Sequence, residues 1–262
     1  MQTTHHYSIP AVIIAALFLL CVTPAVGDNH ANAAAASSKP TVLITGANRG
    51  LGLEFARQYS AEGWHVIATA RNPERADQLE ALAVEIAPLD VADPASVDAL
   101  ANSLDGRAID LLINNAGIFP RAGGIEEIDF DDYSRTLTVN TMGPVRVTRA
   151  LLPNLRASEM KKVVNITSRL GSIALTGNGV FYGYRESKAA LNMFTKILAN
   201  ELKPEGFTCL TIHPGWVQTD MGGENANLTP EESISGMREV IATVGPEKTG
   251  TYWSYGGEEV PW

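Results

Sequence analysis

The chain has 262 residues, of which 45% are hydrophobic and 19% charged, a composition typical of a globular protein that can bury one large core. Its 29 acidic and 20 basic residues give a formal net charge of -9, which argues against a nucleic-acid-binding surface. The two cysteines form no CxxC pair and the five histidines form no HExxH pattern, so the sequence indicates no metal site.

The first residues differ in composition from the rest of the chain. Residues 1–27 contain no Asp, Glu, Lys or Arg, and an apolar run over residues 9–22 has the length of a signal-peptide core. Ala25 and Gly27 are the small residues that a signal peptidase reads. We therefore predict a signal peptide or membrane anchor over residues 1–27; the alternative is a start codon assigned too far upstream.

The leader affects the expected location of the protein. Residues 28–40 are rich in Ala and Ser and are typical of a linker. Membrane contact is expected only through residues 9–26. The leader favours export or membrane association, but its first residues contain no Lys or Arg, so the sequence leaves the location open.

Short β-rich runs alternate with helical stretches from residue 41 onward. The predicted strands cover residues 41–45, 64–70, 84–89, 110–114, 163–167 and 208–213. The predicted helices cover residues 51–63, 73–82, 94–104, 130–155, 184–202 and 230–244, the last beginning with a capping box from Thr229 to Glu232. Such alternation predicts an α/β fold, a doubly wound parallel sheet with helices on both faces, in a single domain.

A glycine-rich segment lies between the first predicted strand and the first predicted helix. It runs from Thr45 to Gly52 and contains Gly46, Asn48, Gly50 and Leu51. Glycines at this place allow a tight turn and close approach to a pyrophosphate, and the helix start attracts the anion. The segment predicts a dinucleotide site.

Two arginines lie where the ribose of the dinucleotide would be bound. Arg71 follows the second predicted strand, where an NAD site usually carries a carboxylate, and Arg49 lies in the glycine segment. Their guanidinium groups would attract a 2′-phosphate and favour NADP(H) over NAD(H). The alternative is that Arg71 is a solvated surface charge.

Tyr184 and Lys188 lie one turn apart on a predicted helix and share a face. A nearby ammonium is expected to lower the tyrosine pKa towards working pH, so that the phenol can exchange a proton with a carbonyl or alcohol oxygen. Tyr182, four residues before Glu186, is interpreted as a packing residue. The alternative is that Tyr184 and Lys188 are an exposed pair on the helix with no catalytic role.

The order of these motifs resembles the classical short-chain dehydrogenase/reductase family over residues 41–262. The resemblance rests on Thr45-Gly-x-x-x-Gly-x-Gly52, Asn114-Asn115-Ala116-Gly117, Asn140, Ser168, Tyr184-x-x-x-Lys188 and Pro214-Gly215. The sequences around Tyr184, the run from His213 to Val217 and the ending Glu258 to Trp262 are similar to the C-factor or sniffer-like carbonyl-reductase branch. The resemblance implies a Rossmann-type fold over residues 41–262 that binds NAD(P).

The resemblance assigns a role to each catalytic residue. It implies that Tyr184 is the general acid/base, that Lys188 binds the nicotinamide ribose and tunes Tyr184, and that Ser168 orients the substrate oxygen. Asn140 is implied to fix a helix bend and a proton-relaying water. Thr167 is the alternative to Ser168.

The resemblance also implies further contacts with the cofactor. Thr219 would bind the nicotinamide carboxamide, and Asp90 and Val91 would meet the adenine. The whole set of expected cofactor residues is Thr45, Gly46, Asn48, Arg49, Gly50, Leu51, Gly52, Arg71, Asp90, Val91, Asn114, Ala116, Gly117, Tyr184, Lys188, Pro214, Gly215, Val217 and Thr219. For the Asn-Asn-Ala-Gly turn, the alternative to cofactor binding is a purely structural role.

The expected activity is hydride transfer between NADP(H) and a small carbonyl or alcohol substrate. One rival is a cofactor-binding signalling or scaffold protein of the C-factor type with little turnover. A second is an alcohol-oxidising dehydrogenase that uses NAD, which Arg49 and Arg71 disfavour. The resemblance is compatible with a homodimer or homotetramer, and also with a monomer.

Overall fold

The computed structural model describes residues 39–120 and 123–262. The predicted signal peptide or anchor and nearly all of the predicted linker lie outside these residues. Pro40, at the end of the predicted linker, accepts a hydrogen bond at its carbonyl oxygen from the backbone N–H of His65 at 2.9 Å. Among the described residues, no helix is both long and apolar enough to span a membrane.

Within residues 39–120 and 123–262, seven parallel strands form one sheet in the order β3-β2-β1-β4-β5-β6-β7. The strands are β1 (Thr41–Ile44), β2 (His65–Ala70), β3 (Glu85–Pro88), β4 (Leu111–Asn114), β5 (Lys162–Ile166), β6 (Thr208–His213) and β7 (Thr251–Ser254). The order reverses direction between β1 and β4, which creates the crevice at the carboxyl ends of the strands where doubly wound folds bind ligands. The predicted fold class is confirmed.

Helices cover both faces of the sheet. They are α1 (Gly50–Ala61), α2 (Asp77–Glu80), α3 (Pro94–Ser103), α4 (Phe130–Leu137), α5 (Gly143–Ala150), α6 (Leu152–Arg156), α7 (Tyr184–Leu202) and α8 (Pro230–Thr243). One core cluster packs α1 and α8 on the sheet and includes Phe55 and Met237. The other packs α3, α5 and α7 on it and includes Val147 and Phe207. The predicted capping box of α8 is present between Thr229 and Glu232.

Two predicted helices differ from the structure, and one strand was not predicted. The helix predicted over residues 130–155 is interrupted by a π-helical turn at Thr138–Met142 and ends as α5 and α6. The helix predicted over residues 73–82 is a 3₁₀ turn followed by the four residues of α2. Strand β7 was not predicted at all, because Thr251–Ser254 has a polar residue at each end and no continuous apolar run like those of the central strands.

One cysteine belongs to the described part of the chain. Cys209 lies in β6, fully buried, and is a free thiol paired in register with Val163 of β5. Burial raises the pKa of this thiol well above its usual value. Within the described residues no group of three or more His, Cys, Asp or Glu side chains is placed to hold a metal ion.

Candidate active site

The glycine segment folds tightly against the end of β4. Gly46 has a φ of +65°, and a Cβ there would lie 3.0 Å from Cα of Ala116. A Cβ on Gly52 would overlap the carbonyl oxygen of Gly46 and come within 2.6 Å of Nδ2 of Asn115. The turn therefore excludes side chains at both positions and leaves bare backbone at the start of α1, the arrangement that admits a pyrophosphate.

Thr45 joins the ends of β1 and β4. Its Oγ1 accepts hydrogen bonds from the backbone N–H groups of Asn115 and Ala116, both at 3.0 Å. Asn115 returns two bonds from Nδ2 to the carbonyl oxygens of Thr45 and Gly46, at 2.9 and 3.0 Å. The hydroxyl of Thr45, predicted to contact the cofactor, thus shapes the crevice floor. Leu51 packs its side chain into the core below α1, whereas Asn48 is half-buried in the turn.

The two predicted phosphate-binding arginines lie at the same edge of the sheet. The turn is tied to the end of β2, since Ala47 N–H donates to the carbonyl oxygen of Thr69 at 2.8 Å, and Arg71 follows that strand with its side chain exposed. Arg49 pairs with Asp220 at 2.6 Å, and both side chains are largely exposed. Exposed ion pairs of this kind contribute little, about 0–1 kcal/mol, so Arg49 can exchange Asp220 for another anion at small cost.

Asp90 and Val91 lie in the loop after β3. Asp90 Oδ1 accepts from the N–H of Ala92 at 2.9 Å, which fixes the loop. Val91 is buried, and a Cβ on Gly143 would lie 2.9 Å from its Cγ2. The loop is thereby held against the start of α5.

Two residues at the end of β4 face different ways: Asn114 faces the protein interior and Gly117 faces the site. Asn114 is buried, and its Nδ2 donates to Oδ1 of Asn165 at 2.8 Å and to Oγ1 of Thr148 at 3.1 Å. Its side chain therefore faces the interior rather than the crevice. Gly117 faces the site: a Cβ there would lie 3.3 Å from Oδ1 of Asn140 and 3.6 Å from Nζ of Lys188.

Asn140 connects the loop after β4 with helix α7. It is fully buried in the π-helical turn, and its Oδ1 accepts from the N–H of Ile118 at 2.8 Å. Its Nδ2 donates to the carbonyl oxygen of Ile118 at 2.9 Å and to Oγ of Ser187 at 3.1 Å. The extra residue of a π turn, a feature common at functional sites, places this amide between the two elements.

Ser168, Tyr184 and Lys188 come together just beyond the end of β5. Tyr184 is buried at the start of α7, and the Ser168 side chain lies close enough to its hydroxyl to lower the Tyr184 pKa. Lys188 Nζ lies 5.8 Å from the centre of the Tyr184 ring and donates to the carbonyl oxygen of Ile166 at 2.9 Å. The structure thus unites three of the four predicted catalytic residues, and Asn140 adjoins them through Ser187.

The environment of Tyr184 corrects one expectation. Burial raises the pKa of Tyr184, and the nearby Ser168 side chain opposes this only in part, so the predicted lowering by Lys188 is wrong. Burial also lowers the pKa of Lys188 to about 8, which weakens the ammonium as a permanent positive charge. Desolvation outweighs charge attraction at this site because both groups are enclosed.

Thr167 points away from the site. Its Oγ1 donates to Oδ1 of Asn192 at 2.7 Å inside the packing of α7 on β5. The hydroxyl next to Tyr184 belongs to Ser168, which supports the choice of Ser168 over Thr167.

The loop after β6 closes the crevice from the other side. Gly215 has a φ of +80°, and a Cβ there would lie 2.5 Å from Cδ1 of Leu228. Pro214 accepts at its carbonyl oxygen from Oγ of Ser233 at 2.7 Å, and Val217 is buried in a bridge with Leu228. Thr219 lies over the glycine turn, since a Cβ on Gly50 would lie 3.6 Å from its Cγ2.

Two aromatic residues at the site were missed by sequence reasoning. The ring of Phe119 lies 4.4 Å from that of Tyr184, centre to centre, and encloses it. Tyr252, on the unpredicted strand β7, donates from its hydroxyl to the carbonyl oxygen of Ser168 at 2.7 Å. The apolar pair Ile118-Phe119, which follows Gly117, was the sequence signal that could have indicated Phe119. Tyr252 could have been found only if β7 had been predicted.

A doubly wound sheet with a glycine turn and an enclosed Ser-Tyr-Lys cluster defines a nucleotide-binding oxidoreductase. The family model described as short chain dehydrogenase matches residues 40–229. The chain therefore belongs to the short-chain dehydrogenase/reductase family.

Individual relatives show which branch of this family the chain resembles. The C-signal protein of Myxococcus xanthus is 47% identical over 154 residues, which are 59% of this chain and 93% of that protein. The structure of NADPH-bound carbonyl reductase from chicken fatty liver has a TM-score of 0.80 and 37% identity, covering 86% of this chain and 99% of that one. The carbonyl reductase Sniffer of D. melanogaster has a TM-score of 0.81 and 33% identity, covering 86% and 100%. The predicted resemblance to the C-factor and sniffer-like branch is confirmed.

Proposed function

We propose that this protein is an NADP(H)-dependent reductase of a small carbonyl compound, with Tyr184 as the general acid. The observation that carries the proposal is the enclosed cluster of Ser168, Tyr184 and Lys188 beside the crevice. The likeness to a carbonyl reductase that binds NADPH supports the same chemistry.

The residues of the crevice fit a nicotinamide dinucleotide. Gly46 and Gly52 form a turn in which a side chain would collide with neighbouring atoms, and this turn opens the 12-residue helix α1. Such a turn accommodates a pyrophosphate. Lys188, next to Gly117, would bind the ribose hydroxyls, and Thr219 would bind the carboxamide on the opposite wall.

Each side chain of the site has its own role in the proposed reaction. Bound NADPH supplies the hydride. Ser168 holds the substrate oxygen beside Tyr184, which limits the orientations that the substrate can adopt. Because burial raises the pKa of Tyr184, its phenol is protonated at neutral pH and can donate the proton that the developing alkoxide needs. The Asn140 amide holds the loop after β4 against α7 and so preserves the position of Lys188.

The first test is equilibrium binding of NADPH and NADH to residues 39–262, followed by nicotinamide absorbance on adding a panel of carbonyl compounds. Tight NADPH binding with loss of absorbance is expected. Absence of binding to either cofactor would contradict the proposal.

A second candidate is a cofactor-binding signalling protein, which the 47% identity with C-signal favours. It predicts NADPH binding without turnover of any carbonyl compound in the same assay. The signal peptide or membrane anchor over residues 1–27 stays a prediction, and so does the oligomeric state.

The choice between NADPH and NADH is expected to depend on Arg71. The variant Arg71→Asp should lower the ratio of NADPH to NADH affinity by about 10- to 100-fold, because a charge-assisted hydrogen bond to the 2′-phosphate would be replaced by repulsion. Titration of each cofactor measures this ratio. Arg75, an exposed arginine four residues further on, provides the matched control Arg75→Asp, which should keep the original ratio. An unchanged ratio in Arg71→Asp would make Arg71 a solvated surface charge.

A further inference from the structure

Tyr252 reaches from β7 across the sheet to the catalytic serine. The side chain is 1% exposed, and its hydroxyl donates to the carbonyl oxygen of Ser168 at 2.7 Å. Its ring meets His213 edge-on at 6.1 Å and stacks on Trp262 at 5.5 Å between ring centres. Burial raises the pKa of Tyr252, so the hydroxyl remains a donor throughout the working pH range.

Ser168 needs such an anchor because it lies beyond the strand. Strand β5 ends at Ile166, and the last sheet-like bond runs from Thr167 N–H to the carbonyl oxygen of Ile212 at 2.9 Å. The Ser168 carbonyl oxygen then accepts from Gly171 N–H at 2.8 Å and from Tyr252. Oγ of Ser168 is two bonds from Cα and itself accepts from Leu170 N–H at 3.2 Å. Its position therefore depends on this bond and on where the contacts of the carbonyl oxygen hold the Ser168 backbone.

The residues that follow β7 hold Tyr252 in place. Glu258–Trp262, here called the return segment, doubles back along β7, with Val260 N–H donating to the carbonyl oxygen of Tyr252 at 2.7 Å. Trp262 accepts at its carbonyl oxygen from Ala174 N–H at 2.9 Å, and Ser172 Oγ donates to the carbonyl oxygen of Pro261 at 2.7 Å. The return segment thus contacts both Tyr252 and the stretch that follows Ser168.

We propose that Tyr252, held by Trp262, is a positioning residue that fixes the Ser168 hydroxyl beside Tyr184. It acts through the Ser168 backbone and does not touch the reacting atoms. This inference rests on the proposed reductase function, because it concerns the orientation of the substrate oxygen.

The variant Tyr252→Phe removes the hydroxyl and keeps the ring. It is expected to lower kcat for a carbonyl substrate about tenfold, the effect of a neutral hydrogen bond together with a loosened geometry, and to leave the Kd of NADPH within twofold. Tyr59, a buried tyrosine of the core around α1, offers the matched control Tyr59→Phe, which should keep kcat. Trp262→Ala should reproduce the loss, and Trp262→Phe, which keeps a ring on Tyr252, should restore most of kcat.

A double-mutant cycle separates positioning from general support of the fold. If Tyr252 acts through Ser168, adding Tyr252→Phe to Ser168→Ala should change kcat less than twofold. A further tenfold loss in the double variant would overturn the inference, as would full kcat in both Tyr252→Phe and Trp262→Ala. If the unaltered chain turns over carbonyl compounds and both variants keep its full kcat, only the positioning role fails. If the unaltered chain has no turnover, the proposed function fails and this role falls with it.

Discussion

Tyr184→Phe is expected to lower kcat by about 10²- to 10⁴-fold, the range typical of removing a general acid. The variant keeps the ring that packs on Phe119 and removes the proton that would pass to the substrate oxygen. The affinity for NADPH should stay within a few-fold, since the glycine turn is untouched. Steady-state kinetics and a binding titration measure the two quantities separately.

Tyr182 gives the matched control for this experiment. It lies two residues earlier, outside the Ser168 cluster, and its side chain is half-buried. Because Tyr182→Phe keeps the packed ring, kcat should stay within about twofold. Full turnover in Tyr184→Phe would show that another group protonates the substrate.

Replacing Lys188 by methionine is expected to remove turnover and to change how stability depends on pH. Burial lowers the pKa of Lys188 from 10.5 to about 8. Between about pH 8 and the ordinary lysine value, the unfolded chain binds more protons than the folded chain, so the free energy of unfolding rises with pH. The burial penalty is fully present below pH 8 and is lost above about pH 10.4; a shift of this size corresponds to about 3 kcal/mol.

Urea unfolding of both proteins at pH 7 and at pH 10.5 measures this contribution. The unfolding free energy of the unaltered chain, minus that of Lys188→Met, should increase by up to about 3 kcal/mol between the two pH values. Lys162 is also buried with a lowered pKa, but it is present in both proteins, so its contribution cancels in the difference. Parallel pH profiles would mean that Lys188 is not enclosed in the folded protein.

The parallel sheet could be predicted because its buried strands form continuous apolar runs separated by helical patterns. Six strands were located this way within one or two residues. Strand β7 was missed because Thr251–Ser254 has a polar residue at each end and buries only alternate side chains strongly. The π turn was missed because hydrophobic periodicity does not reveal one inserted residue in a helix.

The site was predictable where one element carries it and less so where several meet. The spacing of Tyr184 and Lys188 was enough to place both on one helix face. The direction of the Tyr184 pKa shift was not, because desolvation depends on Phe119 and on the packing around the pair. The inward orientation of Asn114 likewise depends on Asn165 and Thr148, which are distant in sequence.

The buried thiol of Cys209 can be used to measure how often the folded domain opens. A thiol-specific alkylating reagent attacks the thiolate, and burial both hides this sulfur and keeps it protonated. In a chain that carries Cys21→Ser, the rate of labelling would follow how often β6 separates from its neighbours in the sheet. The same sulfur would then record how far a bound nucleotide slows that separation.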